Sequence, residues 1–362
     1  MEDRINKRVF IGNLSSHREN ITFKSYIPSL NFLRGVAALS VALYHFSLGN
    51  PVFLQDGNVL KKIGNYGYLG VEVFFVISGF IIPFAMYQAG YKLKDFKCFL
   101  FKRFLRIEPP YLVSILIILL LKYLSTISPL YEGPPFQVSF VGLILHLGYL
   151  NAFFNYEWIA AIYWTLAIEF QFYLVISIIF PLIKKSKIDA SFLACLLVLN
   201  FLKLIVPFEK TFFDYSLLFT TGILAFKIYT NSSYQYYLLL LINFIIIYFV
   251  FPLPIFLATL FPIPFILKIN IESKIFLFLG NISYSFYLLH SAFGSRILNL
   301  SMRFIEDDLH RSFLVILTIL ICIGISYIYY LLIEKPSIRL SKKIRLGDNH
   351  KFDKITNSLP TS

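Results

Sequence analysis

Residues 314–333 read LVILTILICIGISYIYYLLI, and this run of 20 residues contains no charged side chain. A helix needs about 20 predominantly apolar residues to cross the hydrocarbon core of a bilayer. Residues 111–124, YLVSILIILLLKYL, form a second continuous apolar run. A membrane β-barrel would instead show short segments in which apolar and polar residues alternate. The two runs therefore predict an all-α, polytopic integral membrane protein.

The composition of the whole chain agrees with this prediction. Of the 362 residues, 57% are hydrophobic and 18% are aromatic, and the mean hydropathy is +0.71, far above that of an ordinary soluble domain. The polar N-terminus lacks the layout of a cleavable signal peptide, so we expect the first apolar run to remain in the mature protein. We predict about ten transmembrane helices, at residues 29–48, 67–88, 109–127, 161–183, 190–207, 213–229, 236–251, 254–267, 275–298 and 312–334.

The charge distribution predicts the orientation of these helices. Lys and Arg total 33 against 20 Asp and Glu, and cytoplasmic loops are the ones that carry excess Lys and Arg. With both termini in the cytoplasm, most basic residues lie inside, including KKSK at 184–187. An additional span at 138–151 would move KKSK outside. We therefore expect 138–151 to be a re-entrant or interfacial helix within an external segment, residues 128–160. Its aromatic residues indicate either a lid over a ligand or a belt at the membrane interface.

The same reasoning predicts a layout and a location. Residues 1–27 form a cytoplasmic segment, 28–336 the membrane domain and 337–362 a basic cytoplasmic tail. We expect a multi-pass protein of the cell membrane, the bacterial inner membrane, and we attribute the positive charge to topology and not to nucleic acid. The three cysteines, Cys98, Cys195 and Cys322, have no metal-ligand spacing, so we expect no metal and no disulfide framework.

The stretch LNFLRGVAALSVALYHF, residues 30–46, carries two ionisable residues inside the first predicted span. Arg34 and His45 are eleven residues apart, which is about 16 Å along a helix and only about 20° around it. They share a face with Ala38 and Ala42, which leave room for helix packing or for a ligand. The alternatives are an arginine that snorkels to the surface and a hydrogen-bonded histidine near the interface.

Three further ionisable residues fall at similar depth in other predicted spans. Glu72 lies near the outer end of the second span, Glu169 lies about eight residues into the fourth, and His290 lies in the ninth. Titratable groups in a low-dielectric environment often serve proton transfer. The pattern is typical of an enzyme that uses general acid–base catalysis, and also of a proton-coupled transporter.

The inner side of the membrane carries CFLFKRFLRIEPPYL, residues 98–112. Arg103 and Arg106 are three residues apart, so they are neighbours on one helical face. Two adjacent guanidinium groups can bind phosphate bidentately, and a helix beginning at Pro109 or Pro110 would add its positive N-terminal end. The alternative is a cluster of positive charge in contact with anionic lipid.

Taken together and in order, these stretches resemble the integral-membrane acyltransferase 3 family. The resemblance extends over residues 28–340 and is carried by LRGVAALSVALYHF, GVEVFFVISGF, KRFLRIEPPY, YWTLAIEFQFYL, LGNISYSFYLLH and IEKPSIRL. It implies ten spans with cytoplasmic termini, an acyl-CoA donor, an essential histidine at His45 and functional arginines at Arg34, Arg103 and Arg106. Two departures stand out. The family commonly has Asp at the position of Glu72, and some members carry a C-terminal hydrolase-like domain that we do not expect here.

The resemblance leads to an enzymatic hypothesis. An acyl group, acetyl above all, passes from acyl-CoA to a hydroxyl of a cell-surface or lipid-linked carbohydrate such as O-antigen, exopolysaccharide or capsule. Arg103 and Arg106 hold the phosphates of acyl-CoA, which is a co-substrate and not a permanently bound cofactor, and its pantetheine arm lies along the face of Arg34 and His45. We expect membrane lipid and other glycan-assembly proteins as further partners.

In this hypothesis His45 is the general base and a carboxylate, Glu72 or Glu169, orients it, with His290 and Arg34 in support. A covalent acyl-histidine intermediate stays open as a variant. The alternative function is a proton-coupled transporter of a glycan or acylated solute, in which His45, His290 and the two glutamates form a proton relay.

Overall fold

The computed structural model describes residues 27–129, 131, 133, 135–184, 200–201, 211–344 and 346. These residues form helices and contain no β-strand, which confirms the predicted all-α class. The α-helices are α1 Ser29–Leu48, α2 Val59–Gly64, α3 Gly70–Gln88, α4 Phe96–Thr126, α5 Phe140–His146, α6 Trp164–Ile183, α7 Ser216–Thr230, α8 Tyr234–Val250, α9 Leu253–Leu260, α10 Pro262–Leu267, α11 Lys274–Ser301, α12 Asp308–Tyr329 and α13 Lys335–Lys342. Short 3-10 helices are Gly67–Leu69, Leu93–Asp95, Asn151–Phe154, Ala161–Tyr163 and Phe212–Asp214.

Five helical segments in the described part of the chain are long and apolar enough to cross a membrane. They are Val59–Gln88, Leu93–Thr126, Ala161–Ile183, Lys274–Ser301 and Asp308–Lys342. Shorter apolar helices occupy Ser216–Thr230, Tyr234–Val250 and Leu253–Leu267. Helix α1 has 20 residues but is not among the five, because Asn31, Arg34 and His45 reduce its mean hydropathy. The prediction of a polytopic helical protein is confirmed, whereas the number ten stays a prediction.

Helix α4 corrects one prediction from the sequence. We expected a helix to begin at Pro109 or Pro110, but α4 begins at Phe96 and continues through both prolines. Proline removes a backbone donor, and within membrane helices neighbouring side chains compensate for this loss. The donors missing here are those to the carbonyls of Leu105 and Arg106, four residues before each proline. The hydroxyl of Tyr284 on α11 donates to the next carbonyl, that of Ile107, 2.9 Å away. The helix N-terminus expected at Pro109 or Pro110 is therefore not present.

Two other predicted spans differ in their bounds, and one cannot be compared. The span at 254–267 is divided into α9 and α10 at Phe261. The last span does not end at residue 334: a turn of π-helix, Tyr330–Glu334, joins α12 to α13. The predicted span at 190–207 lies outside the described residues apart from positions 200–201, which are helical.

Glycines allow the helices around the candidate site to approach closely. A Cβ atom on Gly280 of α11 would lie 2.6 Å from the Cα atom of Asn31 on α1, and a Cβ on Gly79 of α3 would lie 2.2 Å from the carbonyl oxygen of Phe219 on α7. Small residues of this kind let membrane helices pack backbone to backbone. Helix α1 thus packs directly against α11, and α3 against α7.

The predicted external segment contains only short helices in its described part. Helix α5 has seven residues, about 10 Å of helix, which is too short to cross the bilayer. His146 at its end is fully bonded: Nδ1 lies 2.6 Å from the carbonyl of Gly142, and Nε2 accepts a hydrogen bond of 3.1 Å from the backbone of Ile159. Burial lowers the pKa of His146. This histidine therefore holds the segment together in its neutral form.

A further loop, residues 49–58, which we call the outer loop, closes the end of α1. Phe53 and Leu54 are each 1% exposed and pack with Phe46 of α1. Lys61 donates 2.8 Å hydrogen bonds to the carbonyls of Pro51 and Leu54. It also bonds to Asp56, and this hydrogen bond holds the pKa of Asp56 below its usual range.

Candidate active site

A cavity of about 240 Å³ lies among α1, α3, α4, α6, α11 and the turn at 330–334. Its lining extends along α3 from Val71 to Ala85, a distance of about 21 Å at the helical rise of 1.5 Å per residue. Most of the lining is apolar or aromatic, with a small number of charged groups. An elongated cavity of this composition is typical of a small-molecule site.

Three arginines contribute to this lining, and the structure thereby brings together the three that the sequence indicated. Arg34 comes from α1, and Arg103 and Arg106 come from α4. Arg103 lies over the rings of Phe99 and Tyr173, 5.3 Å and 5.6 Å from their centroids, and its Nε atom has no hydrogen-bond partner in the described part of the chain. Among the described residues, no ion pair joins any of these arginines to a carboxylate. Their guanidinium donors are therefore available to an anionic ligand.

Two carboxylates share the cavity with the arginines. Glu169 accepts hydrogen bonds from the hydroxyls of Ser78, at 3.0 Å, and Tyr173, at 2.5 Å. Glu334 accepts from the backbone and the hydroxyl of Ser285, at 3.1 Å and 2.5 Å. Both interact electrostatically with Arg34. We call these two carboxylates and the three arginines, with the space between them, the charged cavity.

His45 and His290, which the sequence placed at similar depth, lie side by side. Their ring centroids are 5.3 Å apart. His290 Nδ1 lies 3.0 Å and 2.8 Å from the carbonyl oxygens of Phe286 and Tyr287. A carbonyl only accepts, so Nδ1 carries the hydrogen and Nε2 is the acceptor of the neutral ring. Nε2 is buried and has no partner among the described residues. We call His45 and His290 the histidine pair.

Tyr287 stands between the charged cavity and the histidine pair. It lines the cavity, and its ring centroid is 5.9 Å from that of His290. Its hydroxyl is 2.6 Å from the hydroxyl of Thr165 and donates to the carbonyl of Ile162 at 3.0 Å. The histidine pair is thus adjacent to the cavity but separated from it by one tyrosine side chain.

The structure does not bring every sequence-predicted residue to His45. The hydrogen bonds of Glu169 go to Ser78 and Tyr173, as described above, and no hydrogen bond among the described residues joins Glu72 to His45. Glu72 is 6% exposed, and its Oε2 atom has no partner in the described part of the chain. The orienting role expected for one of these two carboxylates has no hydrogen bond to support it.

The face of α1 between Arg34 and His45 also differs from the expectation. Ala38 and Ala42 are 3% and 0% exposed and pack with Phe46 and Phe286. The space beside these small residues is filled by aromatic side chains, so a ligand arm has no room there. The open path lies instead along α3.

Sequence reasoning missed Glu334, Tyr173, Tyr284 and Tyr287, all of which line the cavity. Glu334 had a detectable signal, because it is an ionisable residue at the end of an apolar run. It also belongs to the stretch IEKPSIRL that carried the family resemblance. The tyrosines also lie in such stretches, YWTLAIEFQFYL and LGNISYSFYLLH, but they carry no charge and tyrosine is common throughout these spans, so nothing singled them out.

The comparison with known families agrees with the resemblance. The family model described as an acyltransferase domain, that of the acyltransferase 3 family, matches residues 27–331. The chain therefore belongs to this family of acyltransferases.

Several named relatives share part of this domain. YrhL of Bacillus subtilis is 30% identical over 159 residues, which are 41% of this chain and 23% of that protein. O-acetyltransferase OatA of Staphylococcus aureus is 28% identical over 165 residues, 44% of this chain and 24% of the relative. Peptidoglycan O-acetyltransferase OatA of Listeria monocytogenes is 27% identical over 161 residues, 42% and 24% of the two chains. The match thus covers about a quarter of the length of these relatives. No solved structure shows significant similarity.

Proposed function

We propose that the protein transfers an acetyl group from acetyl-CoA to a hydroxyl of a cell-surface or lipid-linked carbohydrate. Family membership and the names of the O-acetyltransferase relatives support this class of reaction. The observation that carries the proposal is the charged cavity. It joins three arginines, which have no carboxylate ion pair among the described residues, to a path that ends at Tyr287, the neighbour of His290.

In this proposal the arginines bind the phosphates of acyl-CoA. Arg103 and Arg106 are adjacent on one face of α4, and guanidinium groups form strong, charge-assisted hydrogen bonds with phosphate. The cavity volume of about 240 Å³ is below the roughly 300–1,000 Å³ of ordinary ligand pockets. It suits the narrow acyl-pantetheine arm, while the nucleotide stays at the mouth. The arm would follow α3 and bring the thioester to Tyr287.

His45 would then act as general base. It takes the proton of the sugar hydroxyl as the hydroxyl oxygen attacks the thioester carbonyl carbon. The carbon–sulfur bond breaks, and the CoA thiolate receives the proton from His45. A small ring rotation lets the free Nε2 of His290 accept a hydrogen bond from His45, which fixes the tautomer of the base. This role replaces the one first expected for Glu72 or Glu169.

We assign Glu169 and Glu334 to the donor side. Each accepts hydrogen bonds from neighbouring hydroxyls and lies near Arg34 without pairing with it directly. A carboxylate that attracts the arginine without bonding to it keeps the arginine in place and leaves its donors free for phosphate.

The topology belongs to the same proposal. We infer ten spans in residues 28–336, cytoplasmic termini and an external segment at 128–160, in a bacterial inner membrane. Helix α3 ends at Gln88 and α4 begins at Phe96, so Arg103 and Arg106 lie toward the end of α3 at the short connection between the two helices. Excess basic residues mark that side as cytoplasmic, where acyl-CoA is present.

The test uses the full chain in proteoliposomes that contain glycan from the producing cells, with labelled acetyl-CoA outside. We expect label on the glycan with wild-type protein. We expect His45→Ala to lower the rate by roughly 10²–10⁴, the usual contribution of a positioned general base. His310→Ala, a change at an exposed histidine bonded to Asp307, is the matched control and should retain the wild-type rate.

Two results would contradict the proposal. Transfer that persists in His45→Ala would exclude this histidine as the base. Passage of unmodified glycan across the membrane without a labelled product would indicate the transporter alternative.

A further inference from the structure

Glu72 is the one sequence-predicted site residue that neither the charged cavity nor the histidine pair uses. It lies in the first turn of α3, at the end of that helix away from Gln88 and the arginines. Its Oε2 atom is buried and has no hydrogen-bond partner among the described residues. Leaving a buried carboxylate oxygen without a donor costs free energy. A donor supplied by a ligand would complete this site.

Two pairs of aromatic residues lie near this carboxylate. The Glu72 carboxylate interacts electrostatically with the hydroxyls of Tyr68 and Tyr215. Tyr215 lies against Trp164, with ring centroids 5.6 Å apart. The ring of Tyr68 is 5.9 Å from the ring of Tyr44. Each tyrosine near Glu72 therefore belongs to an aromatic pair.

The same aromatic residues connect Glu72 to the histidine pair. The ring of Tyr44 is 5.3 Å from the ring of His45, and Glu72 also interacts electrostatically with Tyr287, which borders His290. The tyrosines at positions 44, 68 and 215 are partly exposed. Within the part of the chain that the structure describes, their hydroxyls have no hydrogen-bond partner. A ligand in this position meets free hydroxyls, one carboxylate and aromatic faces.

This combination matches the chemistry of a sugar. A pyranose ring has an apolar face of C–H groups, which packs on aromatic rings, and hydroxyls around its edge, which donate to a carboxylate. An ionised carboxylate accepts hydrogen bonds and donates none, and it repels an anionic ligand. The site therefore favours a neutral sugar over an acidic one.

We propose that Glu72, Tyr68, Tyr215 and Trp164 bind the carbohydrate acceptor, with Glu72 Oε2 accepting a hydrogen bond from a hydroxyl of a neutral sugar. This inference deepens the proposed function and rests on it, because the bound sugar is an acceptor only if the proposed acetyl transfer takes place. It assigns Glu72 to acceptor binding. The sugar approaches His45 past Tyr44, and the thioester approaches from the opposite side, past Tyr287.

Tryptophan fluorescence offers a direct measurement of binding. The chain has two tryptophans, so Trp158→Phe leaves Trp164 as the single reporter in the proposed site. In this background, we expect two neutral trisaccharides, triacetylchitotriose and maltotriose, to change the emission of Trp164. We expect at least one of them to bind at millimolar concentration. Glu72→Gln should weaken that binding at least tenfold. Glu306→Gln, a change at an exposed glutamate, is the matched control and should bind as the background protein does.

The same samples are titrated with acetyl-CoA, which separates this inference from the proposed function. We expect Glu72→Gln to leave acetyl-CoA affinity within twofold. An unchanged emission with both trisaccharides, or equal sugar affinity in Glu72→Gln, would overturn the acceptor site. So would a loss of acetyl-CoA affinity as large as the loss of sugar affinity, because it would indicate general disruption. Protein that binds the sugars but not acetyl-CoA would contradict the donor assignment but would still support the sugar site.

Discussion

The charged side chains of the outer loop are bonded to the protein itself, whereas the arginines of the charged cavity are not paired with its carboxylates. In the outer loop, Arg311 of α12 donates hydrogen bonds of 2.8–3.2 Å to the carbonyls of Ile305, Val52 and Phe53. Asp308 accepts from the backbone of Gln55 at 2.9 Å and from the side chain of Asn58 at 2.5 Å. These charged groups bind parts of the protein itself.

In the charged cavity, the arginines bind no carboxylate of the described chain, and Arg103 keeps a buried Nε atom without a partner. A buried donor without a partner lowers stability, and adjacent guanidinium groups repel each other. The charges of the outer loop therefore stabilise the fold. The charged cavity is less stable for its unpaired arginines, but their donors stay available for a ligand. Substitutions should therefore affect stability in one region and function in the other.

The largest expected effect is on donor binding. Changing Arg103 and Arg106 together to Gln removes two charge-assisted contacts to phosphate, each worth about 1.5–3 kcal/mol. We expect the Kd for acetyl-CoA to rise by roughly 100-fold or more, with no loss of thermal stability. Isothermal titration with the detergent-solubilised protein measures this, and Lys97→Gln, at an exposed lysine of the same helix, is the control. Unchanged affinity would return the pair to a role in topology or lipid contact.

A smaller effect, on kcat, is expected from a substitution in the histidine pair. His290→Gln removes the ring nitrogen that we propose accepts a hydrogen bond from His45. We expect kcat to fall roughly tenfold with an unchanged KM for acetyl-CoA, the pattern of a group that acts in the transition state.

His146 provides the comparison for this measurement, because both of its ring nitrogens bond to the backbone. His146→Gln should lower the melting temperature and leave kcat near the wild-type value. If the two variants changed the same parameter, the distinction between a catalytic pair and a structural histidine would be lost.

The smallest effect on activity is expected in the outer loop. Arg311→Ala removes hydrogen bonds to three carbonyls, and we expect about 1–3 kcal/mol of destabilisation, seen as a lower melting temperature. Acetyl transfer well below that temperature should be within twofold of wild type. Lys62→Ala, at an exposed lysine, should change stability by less than about 0.5 kcal/mol. A loss of transfer in Arg311→Ala without a loss of stability would show that the loop takes part in function.

Local patterns accounted for the positions of most helices and for part of the site. Apolar runs located α1, α3, α6, α7, α8, α11 and α12 within a few residues. The cost of placing charge in a membrane singled out Arg34, His45, Glu72, Glu169 and His290. Helix propensity failed at α4, because it treats two adjacent prolines as a helix start, whereas α4 continues through both of them.

The class of this protein follows from its sequence, since hydropathy and the order of its motifs are properties of consecutive residues. The sequence also shows which ionisable residues require an explanation. Which of them meet depends on how the helices pack: Glu169 faces the arginines, His45 lies against His290, and Glu334 joins the charged cavity. Contacts between helices depend on their packing angle and rotation, and these follow from close approaches such as that of Gly280 to Asn31. Residues hundreds of positions apart in the chain make those approaches.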